Sequence, residues 1–294
     1  MGVPISFSKV FLFLFIGLQV HIFSITYITQ PPINVPWNNF QCNAIDIGVG
    51  AGGEAFIINL QGKLNYYNIS DTINSLIDIT PRGYLLHLSN VDVDSDGTPF
   101  VIDSLGNTLY LSCNHKWKAL PGCAKDIGVG MNGDIWKIGC DERHGGYGVW
   151  NLICNKCKFK NKCIKFKSGI QDEDYLLFLD HEHDCDWHRV EGAGLRIDVD
   201  PKGNPWIINE SNEIHHYDGL DWHLIPGFNA TDISVSNEGV VFATGTDYSI
   251  RRLICPRLGT WQILSGSATN VSVGPYSLPF VIHSVNGGMQ TFLN

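Results

Sequence analysis

The sequence predicts an all-β fold built from six copies of one four-stranded unit. Three observations support this prediction. Six segments align without gaps, a tryptophan opens a fourth strand in four of them, and the strand missing from the last unit is found near the N-terminus. Four antiparallel strands per unit, repeated around one axis, make a β-propeller, so we expect a single closed propeller of six blades. Closure by the N-terminal strand removes the free strand edges of a linear array.

Each aligned segment alternates apolar with small or polar residues, turns at a glycine-containing group and resumes with apolar residues. This pattern predicts two short strands joined by a tight hairpin. The segments start at Asp46, Asn90, Asp126, Arg196, Asp232 and Asn270. Glycine occupies the turn in five segments, where it reaches a positive φ at least cost, and Ser277 takes its place in the sixth.

A second turn and a third strand follow each hairpin, and the fourth strand then opens with a tryptophan in four repeats: Trp117, Trp187, Trp222 and Trp261. The last repeat has no tryptophan strand after its third strand. We expect Trp37 to supply it, because Trp37 lies nine residues before Asp46, as Trp117 lies nine before Asp126. Pro81 stands where the first repeat should have its tryptophan, so the outer edge of that blade is predicted to be degenerate.

These motifs resemble the tectonin repeat of tectonins, of the tachylectin-1-type horseshoe-crab lectin and of fish-egg lectins. The resemblance rests on the pattern Asp-Ile-x-Val-x-x-x-Gly-x-x-Trp, as from Asp126 to Trp136, and on the Trp-x-x-Ile-Pro-Gly run from Trp222 to Gly227. It extends from Trp37 onward. The resemblance implies a propeller that recognises glycans, glycolipids or microbial surface glycoconjugates such as lipopolysaccharide, without catalysis.

The third repeat is longer than the others, because an insertion at 155–186 precedes Trp187. The third and fourth repeats start 70 residues apart, whereas the basic repeat is close to 36 residues long. The alternative is a seventh, eroded blade with residues 175–179 as its third strand and Trp187 opening its fourth. No Asp-Ile-x-Val hairpin precedes that segment, and loop insertions are well tolerated, so six blades are favoured.

The apolar run at 10–20 has the length of a signal-peptide core and is short for a membrane span. The sequence therefore predicts a signal peptide at 1–30, with an approximate end, a propeller domain at 31–294 and a secreted protein. A single N-terminal anchor is the alternative, and no later segment is apolar enough to cross a membrane. Four glycosylation sequons agree with export: Asn68, Asn209, Asn229 and Asn270.

The chain contains nine cysteines, which in an exported protein are expected to form disulfides. Four lie at or within the insertion, and two disulfides are predicted among them in an open pairing: Cys154, Cys157, Cys163 and Cys185. The alternative is a zinc site that includes His181 and His183. The odd total leaves at least one cysteine unpaired within the chain.

Composition and motifs restrict the function. A net charge of −9 disfavours nucleic acid as a partner. No hydrolase or phosphate-binding motif is present, so neither catalytic residues nor a cofactor is predicted. Acidic pairs such as Asp92 with Asp94 and Asp198 with Asp200 are assigned to hairpin turns, and no metal site is predicted. The aromatic residues that recur in the second strand, among them Trp136 and Trp206, are assigned to the core.

Polar residues at the turns after the second strands are the candidate ligand contacts: Gln61, Asn107, Asn212, Asp247 and Asn286. Similar turns repeated around one axis would offer several weak sites that act together on a multivalent glycan. Two alternatives remain open. One is a protein-interaction scaffold, and the other is a glycosidase, which would need two carboxylates converging at about 5–9.5 Å.

Overall fold

A computed structural model describes residues 7–16, 19–28, 32–34, 36–68, 76–81, 87–112, 115–154, 177–178 and 185–292. Within these ranges the chain forms strands and two single-turn 3-10 segments, Pro256–Leu258 and Pro275–Ser277. The all-β prediction is confirmed. Strands β1 (Phe7–Ile16) and β2 (Gln19–Ile28) pair only with each other, as an antiparallel hairpin. Among the described residues, no helix is long or apolar enough to cross a membrane.

The remaining strands, apart from the two-residue β14, form six units of four antiparallel strands, which we call blades 1 to 6. Blade 1 contains the second half of β3 (Trp37–Val49), then β4 (Glu54–Asn59), β5 (Leu64–Asn68) and β6 (Ile77–Asp78). Blade 2 contains β7 (Leu88–Val93), β8 (Pro99–Asp103), β9 (Asn107–Leu111) and β10 (Trp117–Cys123). Blade 3 contains β11 (Asp126–Val129), β12 (Ile135–Arg143), β13 (Gly146–Cys154) and β15 (Cys185–Gly194).

The last three blades repeat this order. Blade 4 contains β16 (Arg196–Val199), β17 (Pro205–Ile208), β18 (Ile214–Tyr217) and β19 (Trp222–Ile225). Blade 5 contains β20 (Ala230–Val235), β21 (Val241–Gly245), β22 (Ile250–Cys255) and β23 (Thr260–Leu264). Blade 6 contains β24 (Ala268–Val273), β25 (Pro279–His283), β26 (Gly288–Phe292) and the first half of β3.

Strand β3 belongs to two blades, as the sequence predicts. Its first half pairs with β26 of blade 6, with Asn38 opposite Thr291. Its second half pairs with β4 of blade 1, with Ala44 opposite Asn59. The N-terminal strand therefore completes the sixth blade and opens the first.

The seven-blade alternative does not match the described part of the insertion. Strand β14 (Leu177–Phe178) falls in the segment that this alternative assigned to an extra blade, yet it pairs in parallel with β10 of blade 2. Trp187 lies in the outer strand of blade 3, paired with Leu152. The rest of the insertion lies outside the described residues. Where the chain is described, six four-stranded blades account for all strands from Trp37 onward except β14.

Apolar clusters join neighbouring blades, including blade 6 to blade 1. Each second strand contributes one large aromatic residue, and all six are at most 7% exposed: Phe56, Phe100, Trp136, Trp206, Phe242 and Phe280. Their assignment to the core is confirmed. Packing between blades, rather than within one sheet, is therefore what buries these side chains.

Each outer-strand tryptophan bonds to the preceding blade. Its indole nitrogen donates to a backbone carbonyl of that blade's outer edge, from Trp37 to Ser265, Trp117 to Ile79, Trp187 to Pro121, Trp222 to Glu191 and Trp261 to Pro226. Three of the receiving edges have a glycine of positive φ against the ring: Gly192, Gly227 and Gly266. A Cβ at Gly227 would lie 2.7 Å from Trp261 Cδ1, so only glycine fits beneath this indole.

Two disulfides lie beside the insertion. Cys154 bonds to Cys185 across the base of the insertion, between β13 and β15. Cys123 bonds to Cys140 and thereby connects blade 2 to blade 3, a pair that the sequence pattern did not indicate. Cys157 and Cys163 lie outside the described residues. Because Cys154 and Cys185 are bonded to each other, their thiols are not available as zinc ligands.

Candidate functional site

The first candidate is the axis around which the blades are arranged. The first and third positions of the six aligned segments face it, and the carboxylate and hydroxyl side chains at these positions accept hydrogen bonds from the next blade. Asp46 accepts from the backbone nitrogen of Val91 at 2.7 Å, and Asp92 accepts from that of Val129 at 2.6 Å. The series continues through Asp126 to Ile197, Asp198 to Val235, Asp232 to Val271 and Ser272 back to Val49.

This network corrects the assignment of all the acidic pairs to hairpin turns. Asp94 and Asp200 do cap their own hairpin turns, as expected. Asp92 and Asp198, in contrast, are axial residues that connect blades. The sequence contained a sign of this role, because each of the two residues lies in an inner strand, two positions before the carboxylate that caps the turn.

Burial controls the protonation of the axial carboxyls. It raises the pKa of Asp46 to about 8, and those of Asp126 and Asp198 to about 7. Arg196 is the cation that faces them, with Nη1 3.8 Å from Asp126 Oδ1 and Nε 3.8 Å from Asp232 Oδ1. One arginine thus faces several carboxyls in a poorly solvated space.

The axis has little room for a ligand. Its cavity, lined among others by Asp92 and Asp198, holds about 20 Å³, which is space for about one water molecule. Carboxylate oxygens that face it are engaged by backbone nitrogens. In the described ranges, no group of three or more His, Cys, Asp or Glu side chains is arranged to hold a metal ion. The axial network therefore serves to hold the blades together.

The second candidate is the face formed by the turns between second and third strands, which we call the turn face. A carbonyl in five of the six turns accepts from a residue at or just before the next inner strand, at Gly62 from Leu88, Gly106 from Ala124, Asn212 from Ala230, Tyr248 from Ala268 and Gly287 from Ala44. Because the inner strands all begin at one end of the axis, these turns share one face. All five predicted ligand residues lie on it.

The five predicted residues differ in whether their side chains form hydrogen bonds within their own turns. Asn107 Nδ2 donates to Asp103 at 2.8 Å, and Asp247 accepts from Ser249 and Arg251. Asn212 holds a left-handed φ of 62°, and Asn286 accepts from the Gly288 nitrogen. The side chains of Gln61 and Asn212, by contrast, have no hydrogen-bond partner among the described residues. Only part of the predicted set is therefore free to contact a ligand.

The interface between blade 6 and blade 1, which we call the seam, differs from the other five. Pro81 replaces the tryptophan that blade 1 would donate. On blade 6, Cys42 lies five residues after Trp37, at the position that is glycine after each of the other outer tryptophans. The seam thus lacks both the tryptophan and the glycine that contact each other at the other interfaces. The sequence alone could have indicated that this interface is unusual, because the two replacements fall on opposite sides of it.

Two adjoining depressions open at the seam. The larger has a volume of about 540 Å³ and is lined by Asn39, Phe40, Cys42, Asn43, Asn286 and Gly288. The smaller has a volume of about 220 Å³ and is lined by Cys42, Asn43, Ile57, Asn59, Leu60, Gln61, Asn65 and Leu76. They share Cys42 and Asn43. The seam therefore brings together two of the five predicted residues, Gln61 and Asn286, and leaves out Asn107, Asn212 and Asp247.

Carboxamides dominate the seam, and no charged side chain of the described chain lines either depression. Several amides are fixed by the protein. Asn39 Oδ1 accepts from Gln290 at 2.6 Å, and Asn59 Nδ2 donates to Asn65 at 3.0 Å. The side chains of Asn43 and Gln61 have no partner within the described part of the chain. Amides fixed by the protein, together with the two free amides of Asn43 and Gln61, are suited to a ligand that both donates and accepts hydrogen bonds.

Cys42 lies at the centre of the seam as a free thiol. Burial raises the pKa of this thiol, which keeps it protonated near neutral pH. A nucleophilic cysteine needs the opposite shift. Cys42 is therefore a lining group and not a reactive one.

The predicted glycosylation sites lie in different environments. Asn229 is exposed. Asn209 is half-buried, with its amide oxygen capping the turn to Glu213. Asn270 is 6% exposed and donates to Asp46 on the axis. The side chain of Asn68 lies outside the described set.

Comparison with known proteins agrees with the repeat geometry. The family model of the Tectonin domain matches residues 168–294, which include blades 4 and 5 and the first three strands of blade 6. This part of the chain is similar to the Tectonin domain. Tectonin-1 of Physarum polycephalum is 34% identical over 68 residues, which are 23% of this chain and 31% of that protein. Tectonin-2 of the same organism is 39% identical over 69 residues, or 23% of this chain and 19% of that one.

The chain thus spans less than a third of the length of the curated relatives that it matches. Among solved structures, streptogramin B lyase superposes with a TM-score of 0.53 and 12% identity, over 88% of this chain and 87% of that one. At this identity the likeness concerns the fold alone. Blades 1 to 3 lie outside the family-model match except for the last strand of blade 3, yet they have the same order of four antiparallel strands as blades 4 to 6.

Proposed function

We propose that this protein is exported and binds glycans through its turn face, without catalysing a reaction. The observation that supports this proposal is the carboxamide lining of the seam. A sugar presents hydroxyls that donate and accept at the same time, and carboxamides do the same. Glycans are common on the surfaces that exported proteins meet.

The chemistry of the seam favours binding over catalysis. Glycoside hydrolysis requires two carboxyl groups about 5–9.5 Å apart around the bond to be cleaved. The depressions have no carboxyl among their described lining residues. The thiol of Cys42 is held protonated. The described lining residues can orient a sugar but include no group that would protonate or attack it.

Binding is tested with the full secreted protein on arrays of immobilised glycans, with heat-denatured protein as the control. We expect saturable binding that free oligosaccharide displaces. Folded protein that binds no glycan on any array would contradict the proposal and favour the scaffold alternative.

Export is tested by glycosylation. In a eukaryotic secretory host, we expect modification at Asn229, because its side chain is exposed, and none at Asn270, which is buried on the axis. Enzymatic deglycosylation should increase gel mobility, and Asn229→Gln should reduce that change while Asn270→Gln should not. A cytosolic, unmodified product that retains residues 1–30 would overturn the proposal of export.

A further inference from the structure

We propose that the seam is the principal glycan site and that it takes an uncharged segment of two adjacent sugar rings. This inference rests on the proposed glycan binding and deepens it, because it names the place, the length and the charge of the ligand. It also departs from the expectation of several equivalent sites. The shape, the lining and the surroundings of the seam all support it.

The shape of the seam fits two rings. The depressions of about 540 and 220 Å³ meet at Cys42 and Asn43, so a ligand can occupy both without leaving the surface. Together they fall within the usual size range of small-molecule sites, roughly 300–1,000 Å³. Asn43 contacts both depressions and has a free carboxamide among the described residues. It is therefore placed to bond a sugar on either side of the linkage.

The lining fits an uncharged sugar. A carboxylated, sulfated or phosphorylated sugar gains affinity from a lysine, an arginine or a helix N-terminus. None of these is among the described residues that line the seam. The nearby Lys63 is paired with Asp78 at 3.1 Å, and the chain has a net charge of −9. An anionic ring at the seam would lose hydration without gaining a cation from the described lining residues.

The apolar residues of the seam fit the carbon face of a pyranose ring. Phe40 is half-buried in the wall of the larger depression, held edge-on against Tyr67 at 5.2 Å between ring centroids. Leu60 is 61% exposed at the rim of the smaller one. Each depression thus combines an apolar side chain with carboxamides, and such a combination can contact both the carbon face and the hydroxyls of a sugar.

The other five interfaces are built differently. At each, an indole ring spans the outer edges of two blades and donates to a backbone carbonyl of the preceding blade. At the seam, no tryptophan among the described residues spans this edge, while the inner apolar cluster still joins the blades. The loss of one repeated contact has therefore created a space that the repeat itself does not contain.

Cys42 permits a direct test. The two free cysteines of the described residues, Cys42 and Cys255, are both half-buried, and Cys255 lies far from the seam at the end of β22 in blade 5. The full-length protein is treated with a maleimide at pH 8, with and without a neutral disaccharide, and each cysteine is quantified by peptide mapping. We expect the disaccharide to slow labelling of Cys42 at least several-fold and to leave Cys255 unchanged.

Single substitutions at the seam show which side chains contribute to the free energy of glycan binding. Asn43→Ala and Gln61→Ala should each weaken binding of a neutral disaccharide about tenfold, because each removes a free carboxamide. Ser211→Ala is the matched control, since Ser211 holds in blade 4 the turn position that Gln61 holds in blade 1. It should bind as the unmodified protein does. Unfolding temperature, measured for every variant, separates lost contacts from lost folding.

The outcomes separate the two proposals. Three results would overturn the assignment of the glycan site to the seam while leaving glycan binding intact. The first is glycan binding that does not protect Cys42, and the second is an equal effect of Ser211→Ala and Gln61→Ala. The third is tighter binding of sialylated or sulfated disaccharides than of neutral ones. Absence of binding to any glycan would overturn both. Protection of Cys42 by neutral disaccharides, with loss of binding in Asn43→Ala, is the result we expect.

Discussion

Replacing Trp117 by alanine is expected to lower the free energy of unfolding by about 3–5 kcal/mol. The side chain is fully buried between blades 1 and 2, where it packs with Ile79 and Leu111. Removing it leaves a cavity and an unpaired carbonyl on Ile79, which accepts the indole proton at 3.2 Å. The midpoint of urea denaturation, followed by circular dichroism, measures the loss.

Two further variants divide this effect into its parts. Trp117→Phe keeps most of the apolar volume but removes the donor, so we expect a loss of about 1–3 kcal/mol from the unsatisfied carbonyl. Trp261→Ala removes the equivalent contact between blades 4 and 5, where the ring is only half-buried, and should cost less than Trp117→Ala. Equal losses for Trp117→Ala and Trp261→Ala would contradict the role assigned to burial.

The repeat makes the fold predictable from sequence. Each hairpin carries its own alternation and turn residue, and the spacing from Trp37 to Asp46 reproduces that from Trp117 to Asp126. This spacing alone is enough to assign strand β3 to two blades. The disulfide between Cys123 and Cys140 was missed, because it connects neighbouring blades and nothing in the local pattern indicates which residues face each other across an interface.

The site was predictable only in part, for the same physical reason. Turn polarity pointed to Gln61 and Asn286, and both line the seam. It also pointed to Asn107 and Asp247, whose side chains are used to hold their own turns. A local pattern shows that a residue is polar, but whether it is free depends on its neighbours in space. Cys42 and Asn43 were not identified, because their importance comes from a tryptophan missing on another strand.

Stability is expected to fall as the pH rises from about 4 to about 8. Asp46, with a folded pKa of about 8, and Asp126 and Asp198, at about 7, are raised by burial above the unfolded value near 3.9. Raised carboxyl pKa values stabilise the folded state below the unfolded pKa, and this stabilisation is lost as the pH rises through the folded values. Each such proton changes the free energy of unfolding by about 1.4 kcal/mol per pH unit within its window.

A substitution of Arg196 distinguishes the contribution of the axial carboxyls to stability from that of the other titrating groups. Its guanidinium faces Asp126 and Asp232, and its attraction to them matters only when they are ionised. Arg196→Met should therefore cost little at pH 5 and about 2 kcal/mol at pH 8, below the range for fully buried pairs because the side chain remains 33% exposed. Arg143→Met is the matched control, since Arg143 pairs with Asp141 at the surface and should change stability by less than about 1 kcal/mol at either pH. Urea denaturation of the three proteins at pH 5, 6, 7 and 8 measures the difference. If Arg196→Met lowered stability equally at every pH, the axial carboxyls would not be the groups that titrate in this window.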